Sequence, residues 1–297
     1  MFCARRVEST TSTPAPTPSP IPTLAPLSIN RDISFLLLLV VLAEMLPPPR
    51  PSSGYIERVA RTQVTQVKKR RQLIVFDLNG TLIATKSRND KQRPHLAQLQ
   101  KMLFDHHRGQ FDVMVYSSAM RHNVARYVDS AFNATHRQHL KAVYTREDMS
   151  MSARDYKNKV QTYKDLELVW HGSEADGSDA DAEHPQYSQY NTILVDDSAE
   201  KAAFQPWNLL QVSTWDGSST DSMLVALLGV LDDIRGSNNV SHYLSTYTHV
   251  RSVDPHADTA TPWFDIPYVY AHWRAKGEAL LNVDGVLDSM ARLALET

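Results

Sequence analysis

The chain has 297 residues, enough for one sizeable domain with tails, and its formal charge at pH 7 is −2. The balance is uneven: residues 1–71 carry ten Lys/Arg against four Asp/Glu, while the remainder carries 21 against 29. So acidic a body argues against direct nucleic-acid binding, and a single cysteine, Cys3, excludes both an internal disulfide framework and a cysteine-based zinc site.

Six prolines fall within residues 9–29 (STTSTPAPTPSPIPTLAPLSI). This composition buries no core, so the segment reads as disordered with local polyproline II character. The apolar stretch ISFLLLLVVLAEML (33–46) follows, interrupted by Glu44 and closed by Pro47-Pro48-Pro49. It is shorter than the roughly 20 residues of a spanning helix. Three readings stay open: a marginal membrane anchor, a targeting element, or an apolar segment without either role. The first 32 residues are Arg/Ser/Thr-rich and poor in acids, as mitochondrial presequences are, yet their prolines oppose an amphipathic helix. Residues 50–71 read as a polar, basic linker ending in Lys68-Lys69-Arg70-Arg71, a solvated run, a nuclear signal or a patch for an anionic surface.

From residue 72 the pattern becomes globular. LIVF (73–76), VMVY (113–116) and TILV (192–195) are short apolar runs of the kind buried on both faces of a parallel sheet, and LLQV (209–212) is a further candidate strand. Helical patterns lie between them at 94–105, 120–132, 155–169 and 221–234, with a last helix expected over 265–294. Residues 172–190 read as an acidic loop. Alternating strands and helices predict an α/β, doubly wound, mostly parallel sheet with helices on both faces and no large cap domain. The expected organisation is an N-terminal region over 1–71, a catalytic-type domain over 72–245 and a C-terminal extension over 246–297.

Three of these strands end in polar groups: Asp77 after the first, Ser117-Ser118 after the second, Asp196-Asp197 at the third. In open α/β sheets the carboxyl ends of the strands meet at one crevice. Lys164 precedes the third strand within QTYKDLELVW. Taken singly, Asp77 and the Asp196-Asp197 pair read as helix caps, Ser117 as the cap of the helix near Met120, and Lys164 as a solvated helix lysine. Together, on separate strand ends, they point to one site. DLNGTL (77–82), VYSSA (115–119), TYKDLE (162–167) and ILVDDS (193–198) resemble the motifs of the haloacid dehalogenase superfamily. The resemblance is to its capless branch, which holds the RNA polymerase II C-terminal-domain phosphatases and the nuclear-LIM-interactor-interacting-factor-like proteins, and it runs from about residue 72 to about 245.

The resemblance implies a Mg²⁺-dependent phosphoprotein phosphatase that passes through an aspartyl-phosphate. Asp77 would be the nucleophile. Asp77, the backbone carbonyl of Asn79, and Asp196 or Asp197 would hold Mg²⁺, Ser117 would bind a phosphoryl oxygen, and Lys164 would offset its charge. The family motif carries aspartate where this chain has Asn79. Asparagine keeps the shape but moves no proton, so the expectation is slow turnover with an accumulating intermediate, or none. Asn79-Gly80 is also a pair of the kind that deamidates, which would regenerate aspartate or isoaspartate, though a rigid site suppresses the reaction.

The short span between Thr81 and the helix at Pro94 leaves little room for a cap, so a phosphorylated protein segment (Ser/Thr or Tyr) is the expected partner, drawn by Lys86, Arg88, Lys91 and Arg93 near the mouth. The alternative is a non-catalytic binding protein of the same fold, such as the presequence-receptor subunit of the mitochondrial inner-membrane translocase, or a phosphopeptide-binding pseudoenzyme. The expected location is nucleus or cytoplasm; the receptor reading implies the mitochondrial inner membrane, with membrane contact through 33–46.

Overall fold

A computed structural model describes residues 48–61, 71–85, 90–106, 110–158, 160–172, 186–247 and 261–295. The apolar segment 33–46, the basic run at 68–70, Lys86, Arg88 and most of the acidic loop lie outside these residues. Among those described, no helix is long and apolar enough to cross a membrane.

Strands β1 (Gln72–Phe76), β4 (Phe111–Tyr116), β5 (Leu140–Tyr144), β6 (Thr192–Asp196) and β7 (Leu209–Gln211) form one sheet in the order β5-β4-β1-β6-β7. Every pairing in it is parallel. The chain winds outward from β1 through β4 to β5, then returns to the other side of β1 for β6 and β7. That reversal places the switch-point crevice at the carboxyl ends of β1, β4 and β6.

The continuous apolar runs are explained by burial on both faces. Ile74, Phe76, Val113, Val115, Ile193 and Val195 point into one core layer, with Val124 and Val128 of α3 (Arg121–Ala131) and the buried leucines of α7 (Met223–Ile234). Leu73, Val75, Met114, Tyr116 and Leu194 point the other way, onto α6 (Leu166–Gly172) and onto α1 (Ser53–Val59). Fully burying each such side chain contributes about 1.5–3 kcal/mol.

Several elements differ from expectation. The stretch 50–71 is not all linker. Ser52 caps α1, and Tyr55 and Val59, four residues apart on one helical face, are buried, with the Tyr55 hydroxyl donating to Asn208 Oδ1 at 2.9 Å. Strand β5 was missed because LKAVY alternates half-buried with exposed positions, which marks an edge strand rather than a central one. The helix expected over 94–105 is shorter: α2 spans Leu96–Gln100 and runs on as π-helical turns over Lys101–His106. The helix expected over 155–169 is two helices, α5 (Ala153–Lys157) and α6, and Lys164 lies on neither. The reason is long-range. Lys164 N donates to Lys201 O at 2.7 Å, and Leu166 N donates to the Gln205 side chain at 3.0 Å. Bonds to the loop after β6 replace the helical ladder.

The C-terminal region is part of the same compact unit as residues 48–245. Helix α9 (Pro267–Leu295) lies against α7, and Trp263 and Trp273 join the core. The crossing depends on two glycines. A Cβ on Gly277 would fall 1.8 Å from the Val225 carbonyl oxygen, and one on Gly229 would fall 2.3 Å from that of Trp273. Backbone cannot yield as a side-chain tip can, so the helices must part. Gly277→Ala is expected to lose about 3 kcal/mol or more, read as a fall of about 6–12 °C in Tm by calorimetry. An unchanged Tm would mean the two helices do not meet this closely.

Candidate active site

The first turn after β1 is built by DLNG. Leu78 O accepts from Leu82 N at 2.8 Å and Ile83 N at 3.0 Å, and Gly80 sits at φ +87°, a conformation open to glycine and strained for other residues. Glycine is also required for space, since a Cβ there would lie 2.4 Å from Asp197 Oδ2. The turn leads into a two-stranded antiparallel hairpin, β2 (Ile83–Ala84) and β3 (Lys91–Gln92).

Four of the six expected site residues converge. Asp77, Asp196 and Asp197 offer carboxylate oxygens that all lie within 4.8 Å of one another. Lys164, fully buried, donates from Nζ to Asp77 Oδ1 at 2.8 Å and to Asp196 Oδ2 at 2.5 Å. One ammonium thus links the ends of neighbouring strands. Ser117, buried at the end of β4, accepts from Ala119 N through Oγ at 3.3 Å. It does not cap α3: the first amide of that helix, Arg121 N, is held by the Glu147 carboxylate at 3.1–3.2 Å.

Asn79 is exposed, and its Oδ1 accepts from Thr85 N at 3.2 Å and Thr85 Oγ1 at 2.7 Å. Gly80 N donates to Ile83 O at 2.8 Å. Deamidation requires that amide nitrogen to attack the Asn79 side-chain carbonyl. Both groups are engaged elsewhere, and intact-protein mass is expected to show asparagine only. Arg93, expected at the mouth, is buried instead. Its guanidinium bonds both carboxylate oxygens of Asp221, at 2.8 and 2.9 Å, and the Thr81 carbonyl at 3.1 Å. Local sequence carried no sign of that partner 128 positions away. Lys91 stays exposed on β3.

Lys201 is a site residue that sequence reasoning missed. It lies in the 3-10 turn Ala199–Ala202 after β6. Its Nζ lies 3.0 Å from Asp196 Oδ1, 3.5 Å from Asp197 Oδ1 and 3.6 Å from Asp77 Oδ2. Its spacing of four from Asp197 was the one available signal.

The electrostatics follow. Burial alone would raise Asp196, but attraction to Lys164 and Lys201 and the Ser198 amide hold its carboxyl below the usual range. Asp197 is raised, first by burial and then by repulsion from Asp77 and Asp196, against the pull of Lys201. Lys201 is penalised by burial, yet the three carboxylates push its pKa above that of an ordinary lysine. Three carboxylates against two ammonium groups leave the cluster at −1, and every carboxylate donor is a hard oxygen. That donor set fits a Mg²⁺-type cation.

The family model for NLI interacting factor-like phosphatases matches residues 72–241. An uncharacterized FCP1 homology domain-containing protein of Schizosaccharomyces pombe is 33% identical over 213 residues, which cover 66% of this chain and 84% of that protein. Among solved structures, the fission yeast RNA polymerase II CTD phosphatase Fcp1 bound to beryllium fluoride is 12% identical, with a TM-score of 0.44 over 67% of this chain and 74% of that one. A second structure, of Fcp1 as an essential RNA polymerase II CTD phosphatase, is 13% identical, with a TM-score of 0.43 over the same shares.

Proposed function

The chain belongs to the family of NLI interacting factor-like phosphatases, and from that premise we propose that it is a Mg²⁺-dependent phosphoprotein phosphatase that works slowly through an aspartyl-phosphate on Asp77. The observation that carries this reading is Lys164, buried and shared between Asp77 and Asp196. A helix cap or a solvated lysine needs no such arrangement, and a receptor without chemistry has no use for it. The matched family is one of phosphatases, so the translocase-receptor alternative is not favoured.

Asp77, Asp196, Asp197 and the backbone carbonyl of Asn79 would hold the cation, which when bound would neutralise charge on the phosphoryl oxygens. In the first step an Asp77 carboxylate oxygen attacks phosphorus, forming the O–P bond while the bond to the leaving oxygen breaks. Lys164 holds Asp77 through Oδ1 and offsets charge on the acceptor. The Ser117 hydroxyl oxygen accepts from Ala119 N and its hydrogen has no acceptor among the described residues, which suits donation to a phosphoryl oxygen. The leaving alkoxide must take its proton from water, because Asn79 supplies none. In the second step water attacks phosphorus, the Asp77–phosphorus bond breaks, and inorganic phosphate leaves.

The substrate class is a phosphorylated Ser/Thr or Tyr segment of a protein. Between Asp77 and α2 the described residues hold only the short β2–β3 hairpin, too little for a cap domain, and an uncapped site suits a chain better than a metabolite. We place the protein in nucleus or cytoplasm, which fractionation checks; recovery with the mitochondrial inner membrane would overturn it. The test of the chemistry is purified protein with an aryl phosphate, with Mg²⁺ or EDTA. Turnover is expected only with Mg²⁺, together with an acid-stable phosphoryl adduct on the peptide that contains Asp77. Equal turnover by Asp77→Asn would sink the reading.

A further inference from the structure

The two lysines of the site divide the carboxylate oxygens between them. Lys164 takes Asp77 Oδ1 and Asp196 Oδ2. Lys201 takes the remaining oxygens of that pair, Asp77 Oδ2 and Asp196 Oδ1, and adds Asp197 Oδ1. Those three oxygens belong to the three carboxylates that could hold a cation. The Lys201 ammonium sits 3.0–3.6 Å from one oxygen of each.

The lysines also differ in freedom. Lys164 is 0% exposed, whereas the Lys201 side chain is 15% exposed and hangs from a surface 3-10 turn. Lys201 has a route to water; Lys164 has none. Charge agrees with an exchange. With both ammonium groups in place the cluster stands at −1. Replacing Lys201 by a dication brings it to zero, with Lys164 kept.

On the reading of this cluster as a cation site, we propose that Lys201 is a resident competitor for the divalent cation: its ammonium fills the position between Asp77, Asp196 and Asp197 and must withdraw to solvent before a cation enters. Cation affinity is then set by the exchange and not by the carboxylates alone. The inward lysine also keeps three crowded carboxylates compatible with the folded state while no cation is bound, which an apolar neighbour would not do.

The test is direct cation binding. Mn²⁺ is titrated into wild type, Lys201→Met and Lys201→Arg, followed by calorimetry and by the loss of the free-Mn²⁺ electron paramagnetic resonance signal. If the inward conformer outweighs the outward by ten to one, Lys201→Met binds Mn²⁺ about tenfold more tightly than wild type. Lys201→Arg keeps the charge and stays at or below wild-type affinity. Thermal denaturation gives an independent readout: Lys201→Met melts lower than wild type in EDTA and gains more in Tm on adding Mg²⁺. Equal or weaker Mn²⁺ binding by a folded Lys201→Met overturns the role of Lys201 while leaving the cation site standing. Absence of binding in wild type and both variants removes the cation site itself, and the proposal with it.

Discussion

Asn79→Asp is expected to raise the Mg²⁺-dependent hydrolysis of a phosphoserine peptide by about 10²–10⁴-fold, the usual contribution of a placed general acid–base. The geometry favours a clean test. Asn79 Oδ1 already accepts from Thr85 N and Thr85 Oγ1, and a carboxylate of the same shape meets the same two donors. The side chain is exposed at the rim of the turn rather than packed, so the substitution disturbs no core. The gain should be larger for an alkyl phosphate than for an aryl phosphate in the first step, because a phenolate leaves without a proton and an alkoxide does not. Attack of water on the intermediate should gain in both cases. Wild-type protein quenched in steady state should therefore hold more phosphoryl-enzyme than the variant. The double change Asp77→Asn/Asn79→Asp should fall to background. No gain from Asn79→Asp alone would mean that position 79 is not what limits this site.

Lys164→Met should destabilise the cation-free protein by about 3–5 kcal/mol, the usual cost of removing one partner from a buried ion pair. The side chain has no exposure, and its loss leaves Asp77 and Asp196 facing each other with Lys201 as the remaining cation in the cluster. Methionine fills similar volume, so the loss is electrostatic rather than a cavity effect. Urea unfolding in EDTA and in Mg²⁺ measures it. Part of the loss should return with Mg²⁺, since a bound cation supplies the missing charge. Turnover should fall about 10²–10³-fold even where Mg²⁺ restores folding, because the charge on the phosphoryl oxygens loses its fixed ammonium. A change under about 1 kcal/mol in EDTA would mean that Lys164 does not tie β1 to β6.

The legible and the illegible parts separate by range. LIVF, VMVY, TILV and LLQ declared themselves because central parallel strands are buried on both faces, so each residue alone reports its environment. Strand ends then followed, and with them Asp77, Ser117, Asp196 and Asp197, since parallel strands deliver their carboxyl ends to one edge. LKAVY gave no such report: at an edge, half the residues stay wet and the run looks like loop. Tyr55 and Val59 are two buried residues on a seven-residue helix, too few to raise a periodicity above the polar sequence around them.

The local sequence settled the central strands of the α/β sheet and the glycine turn after Asp77, since both depend on backbone conformation and burial within a few residues; Asp77 as nucleophile candidate came only from the four motifs taken together and the resemblance they carry. It also exposed Asn79, which is a matter of residue type. Only the tertiary structure decided which cations serve the carboxylates. Lys164 was expected on a helix and lies off it, drawn by the Lys201 carbonyl; Lys201, which no motif singled out, lies among three aspartates; Arg93 was expected near the mouth of the site and is locked to Asp221. A long charged side chain reaches far from its own backbone, and burial makes its energy depend on whichever opposite charge the fold brings within about 4 Å. That partner lies far away in sequence, so spacing does not carry it.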